Sequence, residues 1–213
     1  MGLFHAKADG FAGVCSLERL LSIRVGGRFF HVLLLVYQVV FPAAFIPGGN
    51  EPMNMNALIE ASVWVISVLL LLIFVPRANV REAWISYIFL QLPTWFFGLA
   101  AVQWGLIIYP SRFFDKAVST SFTYEFLALP VISAVFNLHY PKTRSFWPKI
   151  VYILAFPTIL TLVEVILERN TLLVAYIKWT GYYSWITIAF TLLLGYWFYK
   201  WFAFGSLHSF GKR

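Results

Sequence analysis

The sequence predicts an all-α, polytopic membrane protein built as a bundle of six transmembrane helices. Its 213 residues are 61% hydrophobic and only 12% charged, whereas a soluble chain carries roughly 25% charged residues. A soluble domain of this length has too little interior to bury so many apolar residues and would expose large apolar patches. The mean hydropathy of +0.77 agrees with this. Lipid is therefore the predicted solvent for most of the chain.

Six apolar stretches approach the roughly 20 residues that a helix needs to cross a bilayer. Short connections with turn residues, such as Pro47-Gly48-Gly49 and Pro141, separate these stretches. They define a transmembrane domain over 29–203, preceded by a leader at 1–28 and followed by a short basic cytoplasmic tail at 204–213. The predicted spans are 29–46, 57–75, 84–109, 118–140, 147–167 and 179–203.

The N-terminal region admits more than one interpretation. Residues 1–28 are too polar to span, but their apolar residues recur at helical spacing opposite Glu18 and Arg19. This pattern predicts a basic amphipathic helix in the cytoplasmic headgroup zone, with a disordered leader as the alternative. For 29–46, which contains His31 and Gln38, three interpretations stay open: a transmembrane helix, a re-entrant or interfacial helix, or a cleaved signal peptide. Without this span the bundle has five helices.

The distribution of basic residues favours six spans. With six helices, twelve Lys and Arg residues fall on one side of the membrane and four on the other. This positive-inside bias predicts a multi-pass protein of the cell membrane with both termini in the cytoplasm. If 29–46 did not span, the division would be eight to eight. Basic cytoplasmic loops account for the net charge of +7, so no nucleic-acid partner is predicted.

Carboxyl groups inside the predicted spans are the best candidates for a functional site, because a charge at the bilayer centre costs at least about 2.5–3.5 kcal/mol. In the fifth span, Thr161, Glu164 and Glu168 fall on one helical face. Such a stripe must face other helices or a water-filled cavity, so interhelical hydrogen bonds or an ion pair are the packing alternative. Two more carboxyls lie at similar depth in the predicted outer halves of other spans. The candidate intramembrane site comprises Glu164, Glu168, Thr161, Glu125 and Glu60.

The third span contains polar and helix-breaking residues of its own. Pro93 and Gly98 lie between Gln91 and Gln103. A proline and a glycine within one span predict a kink or a close contact with another helix. We therefore interpret these residues as packing features.

The sequence contains no familiar catalytic, nucleotide-binding or metal-binding motif, such as H-E-x-x-H, G-x-S-x-G or G-x-x-x-x-G-K-[ST]. One cysteine, Cys15, allows neither an intrachain disulfide nor a cysteine cluster, and the four histidines are scattered. No catalytic residue, metal ligand or cofactor is predicted.

The second half of the chain carries polar spacings of a recognisable kind. The most distinctive are E-x-x-x-E-x-x-T over 164–171 and I-x-W over 177–179. Further segments are Tyr109-Pro110, Leu129-Pro130, Asn137-Leu138-His139-Tyr140-Pro141 and Tyr199-Lys200-Trp201-Phe202. Over roughly 58–203 the chain resembles an uncharacterised family of small polytopic membrane proteins from endospore-forming bacteria. The resemblance implies an integral membrane protein of such a bacterium and implies no catalytic residue.

These observations favour a non-enzymatic membrane component that binds a partner, a small molecule or an ion through its intramembrane carboxyls. One alternative is an intramembrane enzyme that acts on a lipid-borne substrate, with Glu164 or Glu125 as the acid or base. Another is a subunit with a purely structural packing role. The expected partners are the lipid bilayer and either another membrane protein or a second copy of the chain.

Overall fold

The computed structural model of the protein describes residues 55–114, 116–142 and 145–210, with side chains described as far as 203. The predictions for the leader at 1–28 and the first span at 29–46 lie outside these residues. The elements are α1 (Met55–Phe74), a 3-10 turn (Arg77–Asn79), α2 (Val80–Gln103), β1 (Ile107–Ile108), a π-helix (Thr123–Ala128), α3 (Leu129–Leu138), α4 (Phe146–Asn170), β2 (Ala175–Tyr176) and α5 (Gly181–Phe210).

Four helices in the described part of the chain are long and apolar enough to cross a membrane. They are α1, α2 with its preceding turn, α4 and the segment Gly181–Ala203 of α5, and they correspond to the second, third, fifth and sixth predicted spans. Only 6% of the most apolar part of α4 is buried within the protein, as lipid-facing helices require. The prediction of a helical bundle compatible with membrane insertion is confirmed, whereas the number of six spans is not.

The predicted fourth span, 118–140, is a shorter helix than the sequence suggested. The six-residue π-helix continues directly into the ten residues of α3, so this segment falls below the length of the four candidates. It lies at the centre of the bundle, where α3 packs against α1, α2 and α5. Val131, Ala134 and Phe136 have no exposed surface. The segment is apolar because protein surrounds it, and hydropathy does not distinguish that environment from lipid.

Helix α2 ends earlier than the third predicted span, 84–109, because Gly105 terminates it. Gly105 has a φ of 64°, which glycine adopts at little cost. The N–H of Leu106 donates to the carbonyl of Ala101, and the N–H of Gly105 donates to the carbonyl of Val102, both at 2.9 Å. This pair of hydrogen bonds is a Schellman motif that closes α2.

Strands β1 and β2, neither of which was predicted, join the ends of α2 and α4. They pair antiparallel, with Ile107 opposite Tyr176 and Ile108 opposite Ala175. The start of α1 lies beside the same region, since the side-chain oxygen of Asn56 accepts a hydrogen bond from the N–H of Leu172 at 3.3 Å. We call this the sheet end of the bundle. In the predicted topology it is the outer end.

Candidate functional site

A cavity of about 330 Å³ opens between α1 and α4, and we call it the α1–α4 cleft. The cleft exists because α1 packs mainly on α3 and the π-helix, whereas α4 packs mainly on α5. Its wall runs along α1 from Glu60 to Leu70, a rise of about 15 Å at 1.5 Å per residue. Its volume lies at the lower end of the range of small-molecule sites, roughly 300–1,000 Å³.

The described lining of the α1–α4 cleft is apolar except for Ser67 and a cluster of polar residues at the sheet end. Two carboxyls, those of Glu60 and Glu164, belong to this polar cluster, and no Lys or Arg is found among the described residues that line the cleft. The remaining polar lining residues are Tyr109, Ser121, Thr123 and Tyr124, and the apolar ones include Ile59, Val63, Ile66, Leu70, Ile132, Leu160, Val163 and Leu167.

Hydroxyl groups from three elements donate hydrogen bonds to Glu164. Oε1 accepts from Ser184 of α5 at 2.7 Å and from Tyr176 of β2 at 2.8 Å. Oε2 accepts from Tyr124 of the π-helix at 3.4 Å. Because an ionised carboxylate is only an acceptor, with about four lone-pair positions, these donors hold the side chain in place and leave acceptor capacity towards the cleft.

The sheet positions one of these donors. Pairing of β2 with β1 fixes Tyr176 beside the end of α4, and Trp179 supports the network by donating from Nε1 to Ser184 at 2.8 Å. Burial, followed by the charge of Glu164, raises the pKa of Tyr176 above its usual range. Tyr176 therefore keeps its proton and remains a donor.

Glu60 enters the cleft from the opposite wall. It is partly buried, and the backbone amide of Phe113 interacts with its carboxyl. The loop that carries Phe113 is held against α1 by an aromatic contact, in which the rings of Phe113 and Trp64 lie 6.0 Å apart. The loop between β1 and the π-helix thus covers the sheet end of the cleft beside Glu60.

A second cavity, of about 80 Å³, contains Glu125, and we call it the Glu125 cavity. Only 3% of Glu125 is exposed, and neither carboxyl oxygen forms a hydrogen bond with a described residue. The Thr120 hydroxyl lies near this carboxyl but has no hydrogen bond of good geometry either. Gly98 makes room for the carboxyl, because a Cβ at that position would lie 1.7 Å from Oε1.

The π-helix that carries Glu125 is held by polar side chains of α2. Tyr87 and Gln91 donate to the carbonyl of Phe126 at 2.9 and 3.0 Å, and Thr94 donates to the carbonyl of Glu125 at 2.9 Å. A π-helix shifts the backbone hydrogen-bond register, and such segments occur frequently at functional sites. The interpretation of Gln91 and Gly98 as residues of a close helix contact agrees with this geometry.

Of the five predicted site residues, two line the α1–α4 cleft, Glu125 lies in the Glu125 cavity, and two lie outside both cavities. Glu60 and Glu164 line the α1–α4 cleft, and Glu164 also lines the Glu125 cavity. Thr161 packs against Gly181 at the start of α5, 3.6 Å from a Cβ built there, and its buried hydroxyl has no hydrogen bond in the described region. Glu168, one turn beyond Glu164, lines neither cavity.

The residues that donate hydrogen bonds to Glu164 were not predicted from the sequence. Its partners in the described residues are the hydroxyls of Tyr124, Tyr176 and Ser184. An ion pair with Lys or Arg, one form of the packing alternative, is not among them. Tyr176 could not be found from helical spacing because it lies on an unpredicted strand. Ser184 had a weak signal, as a hydroxyl in the first turns of the last span.

Within the described residues, no three His, Cys, Asp or Glu side chains come together in a way that could hold a metal ion. The chain matches no known family profile, no curated protein and no solved structure. The α1–α4 cleft and the Glu125 cavity are therefore the features that bear on its function.

Proposed function

We propose that this chain is an integral membrane protein that binds an amphiphile in the α1–α4 cleft. The ligand has one apolar chain, which lies along the cleft, and a positively charged amine head, which lies between Glu60 and Glu164. The observation that carries this proposal is a long apolar cleft with two carboxyls at one end and no basic residue among the described residues of its lining.

The charge of the head group follows from the lining. A carboxylate removed from water is costly unless an opposite charge or hydrogen-bond donors compensate for it. Hydroxyl groups donate hydrogen bonds to Glu164, but within the part of the chain that the structure describes neither carboxyl has a basic partner in the lining of the cleft. An ammonium head supplies both a positive charge and donors, whereas an anionic head would be repelled.

The ligand enters from the plane of the membrane. Two apolar residues on facing walls of the cleft, Ile66 of α1 and Val163 of α4, are 53% and 49% exposed. A cleft whose apolar walls reach the outer surface of a lipid-facing bundle is open to lipid-borne molecules. Binding to such a site does not require an extramembrane domain.

The membrane arrangement in this proposal is the six-span topology, in the cell membrane of a bacterium and with both termini in the cytoplasm. The positive-inside distribution and the four apolar helices support it. In a Cys15→Ser background, Asn50→Cys should react with an impermeant maleimide added outside the cell, and Thr143→Cys should not. Labelling of both positions from outside would contradict this topology.

The binding proposal is tested with the full-length protein in lipid nanodiscs and two probes of equal chain length, dodecylamine and dodecanol. The wild type should bind the amine more tightly. The double variant Glu60→Gln/Glu164→Gln should lose about 10-fold in affinity for the amine, equivalent to about 1.4 kcal/mol, with little change for the alcohol. Glu168→Gln is the matched control on α4 and should keep the wild-type preference. Equal affinity of the wild type for both probes would overturn the proposal.

The intramembrane-enzyme alternative, with Glu164 or Glu125 as acid or base, stays a prediction. The hydroxyl donors on both oxygens of Glu164 hold and orient that carboxyl, which suits a binding role directly. The packing alternative accounts for these hydrogen bonds but not for an apolar cleft beside them.

A further inference from the structure

We propose that the Glu125 cavity binds a small monovalent cation of the size of sodium. This site is separate from the α1–α4 cleft and has its own carboxyl, Glu125. Its other oxygen atoms come from the hydroxyl side chains that line the same cavity, namely Thr94, Thr187, Thr191, Ser184, Tyr109 and Tyr124.

The threonine hydroxyls can only accept towards the cavity, because each one donates its proton to a backbone carbonyl. The Thr94 hydroxyl lies 2.8 Å from the carbonyl oxygen of Leu90 and 2.9 Å from that of Glu125, and it donates its one proton to one of these two carbonyls. Thr187 donates to the carbonyl of Tyr183 at 2.9 Å, and Thr191 donates to the carbonyl of Thr187 at 2.5 Å. A hydroxyl has one proton and two lone pairs, so the oxygen lone pairs are what remain for a ligand.

Two more hydroxyl protons at this cavity are also engaged. Ser184 and Tyr124 both donate to Glu164. The carboxyl of Glu125 is thus buried in a cavity where the hydroxyls of five lining residues have already used their protons. Such oxygen acceptors beside the carboxyl of Glu125 match a hard cation, which prefers oxygen ligands.

The charge and the space favour a monovalent ion. Glu125 is the carboxyl directed into this cavity against Gly98, and Glu164 at its edge is served by hydroxyl donors. The described residues offer no group of three acidic, His or Cys side chains, such as a divalent metal commonly uses. A cavity of about 80 Å³ has room for one ion and for water, since a water molecule occupies about 30 Å³ in the liquid.

The two cavities share a wall. Glu164, Tyr109 and Tyr124 line both of them. The cation site nevertheless does not depend on amphiphile binding, because Glu125, Gly98 and the three threonines line only the Glu125 cavity. The two proposals can therefore fail independently.

The test is equilibrium binding of ²²Na⁺ to the purified full-length protein, with choline chloride keeping the ionic strength constant. The wild type should bind sodium saturably. Glu125→Gln should abolish the saturable component, and Thr191→Val, which removes one hydroxyl with little change of shape, should weaken it. Glu82→Gln is the matched control, because Glu82 pairs with Tyr199 through a hydrogen bond elsewhere in the bundle and should keep wild-type binding.

Saturable binding that survives in Glu125→Gln, or its absence in the wild type, would overturn the cation site. If Glu125→Gln does not give a monodisperse protein, Thr191→Val and Thr187→Val decide the question, and unchanged sodium affinity in both would count against the proposal. Glu125→Gln should still bind dodecylamine, so loss of sodium binding is distinguishable from failure of the amphiphile proposal.

Discussion

The α1–α4 cleft and the interface of α2, α3 and α5 differ in how closely their helices approach each other. At the interface, small residues bring the backbones together: a Cβ at Gly195 would lie 2.8 Å from Leu90 and 3.0 Å from the hydroxyl of Ser133. Small residues allow such close packing between membrane helices. Along the cleft, α1 and α4 instead pack on different neighbours.

The polar side chains of the two regions also differ in what surrounds them. In the close interface, the amide of Asn137 donates to Ser86 at 3.1 Å, and all three residues Asn137, Ser86 and Ser133 have no exposed surface. In the cleft, Glu60 and Glu164 face open volume from opposite walls. Polar groups at the interface are explained by helix association, whereas the carboxyls at the cleft are explained by a ligand.

The largest effect on stability is expected at Gly98, where α2 meets the π-helix beside the Glu125 cavity. Gly98→Ala places a Cβ on the carboxyl of Glu125, and overpacking of this kind costs about 1–3 kcal/mol. The measurement is the free energy of unfolding, or the thermal midpoint, of the protein in detergent.

A double variant makes this prediction specific. In a Glu125→Ala background the added Cβ has no carboxyl to displace, so Gly98→Ala should cost much less there, with a coupling free energy of about 0.5–3 kcal/mol between the two positions. Additive effects would show that Gly98 does not serve to accommodate Glu125.

The next effect concerns the cleft and should change binding more than stability. Val63→Phe fills the cleft and should weaken dodecylamine binding about 10-fold, or about 1.4 kcal/mol. Val65→Phe is the matched control, because Val65 is 49% exposed and does not line the cleft, and its affinity should stay within about twofold of the wild type, as for a surface substitution. Equal losses in both variants would place the amphiphile outside the cleft.

The smallest effect is expected at the hydroxyl network. Tyr176→Phe removes a donor to Glu164 and should lower the free energy of unfolding by about 1 kcal/mol, as the loss of one hydrogen bond does. Tyr183→Phe changes a tyrosine that is 50% exposed and should leave stability unchanged. If both substitutions are neutral, the Tyr176 hydrogen bond does not stabilise the sheet end.

Apolar run length predicted the four long helices, because lipid-facing helices carry their signal in continuous hydropathy. For 118–140 the same signal predicted a longer helix than the structure has, Thr123–Leu138, and α3 is apolar through burial in protein. Glu60, Glu125 and Glu164 could be singled out because a carboxyl in an apolar helix is costly in any packing.

Their surroundings could not be predicted, because they depend on contacts between distant segments. Tyr176 reaches Glu164 only through the pairing of β2 with β1, and single-chain periodicity contains no information about that register. The end of α2 could have been predicted from Gly105, because a glycine after a helical run favours a left-handed C-cap. The likeness to a family from endospore-forming bacteria, the six spans and the bacterial cell membrane stay predictions.

The most direct test of the account is photolabelling with a dodecylamine that carries a diazirine on its alkyl chain, followed by peptide mapping of the labelled protein in nanodiscs. Labels should concentrate on α1 and α4 at residues that line the cleft, such as Ile66 and Val163, and excess unlabelled dodecylamine should remove them. Labels spread evenly over the outward faces of all the helices, or insensitive to competition, would contradict a specific amphiphile site in the α1–α4 cleft.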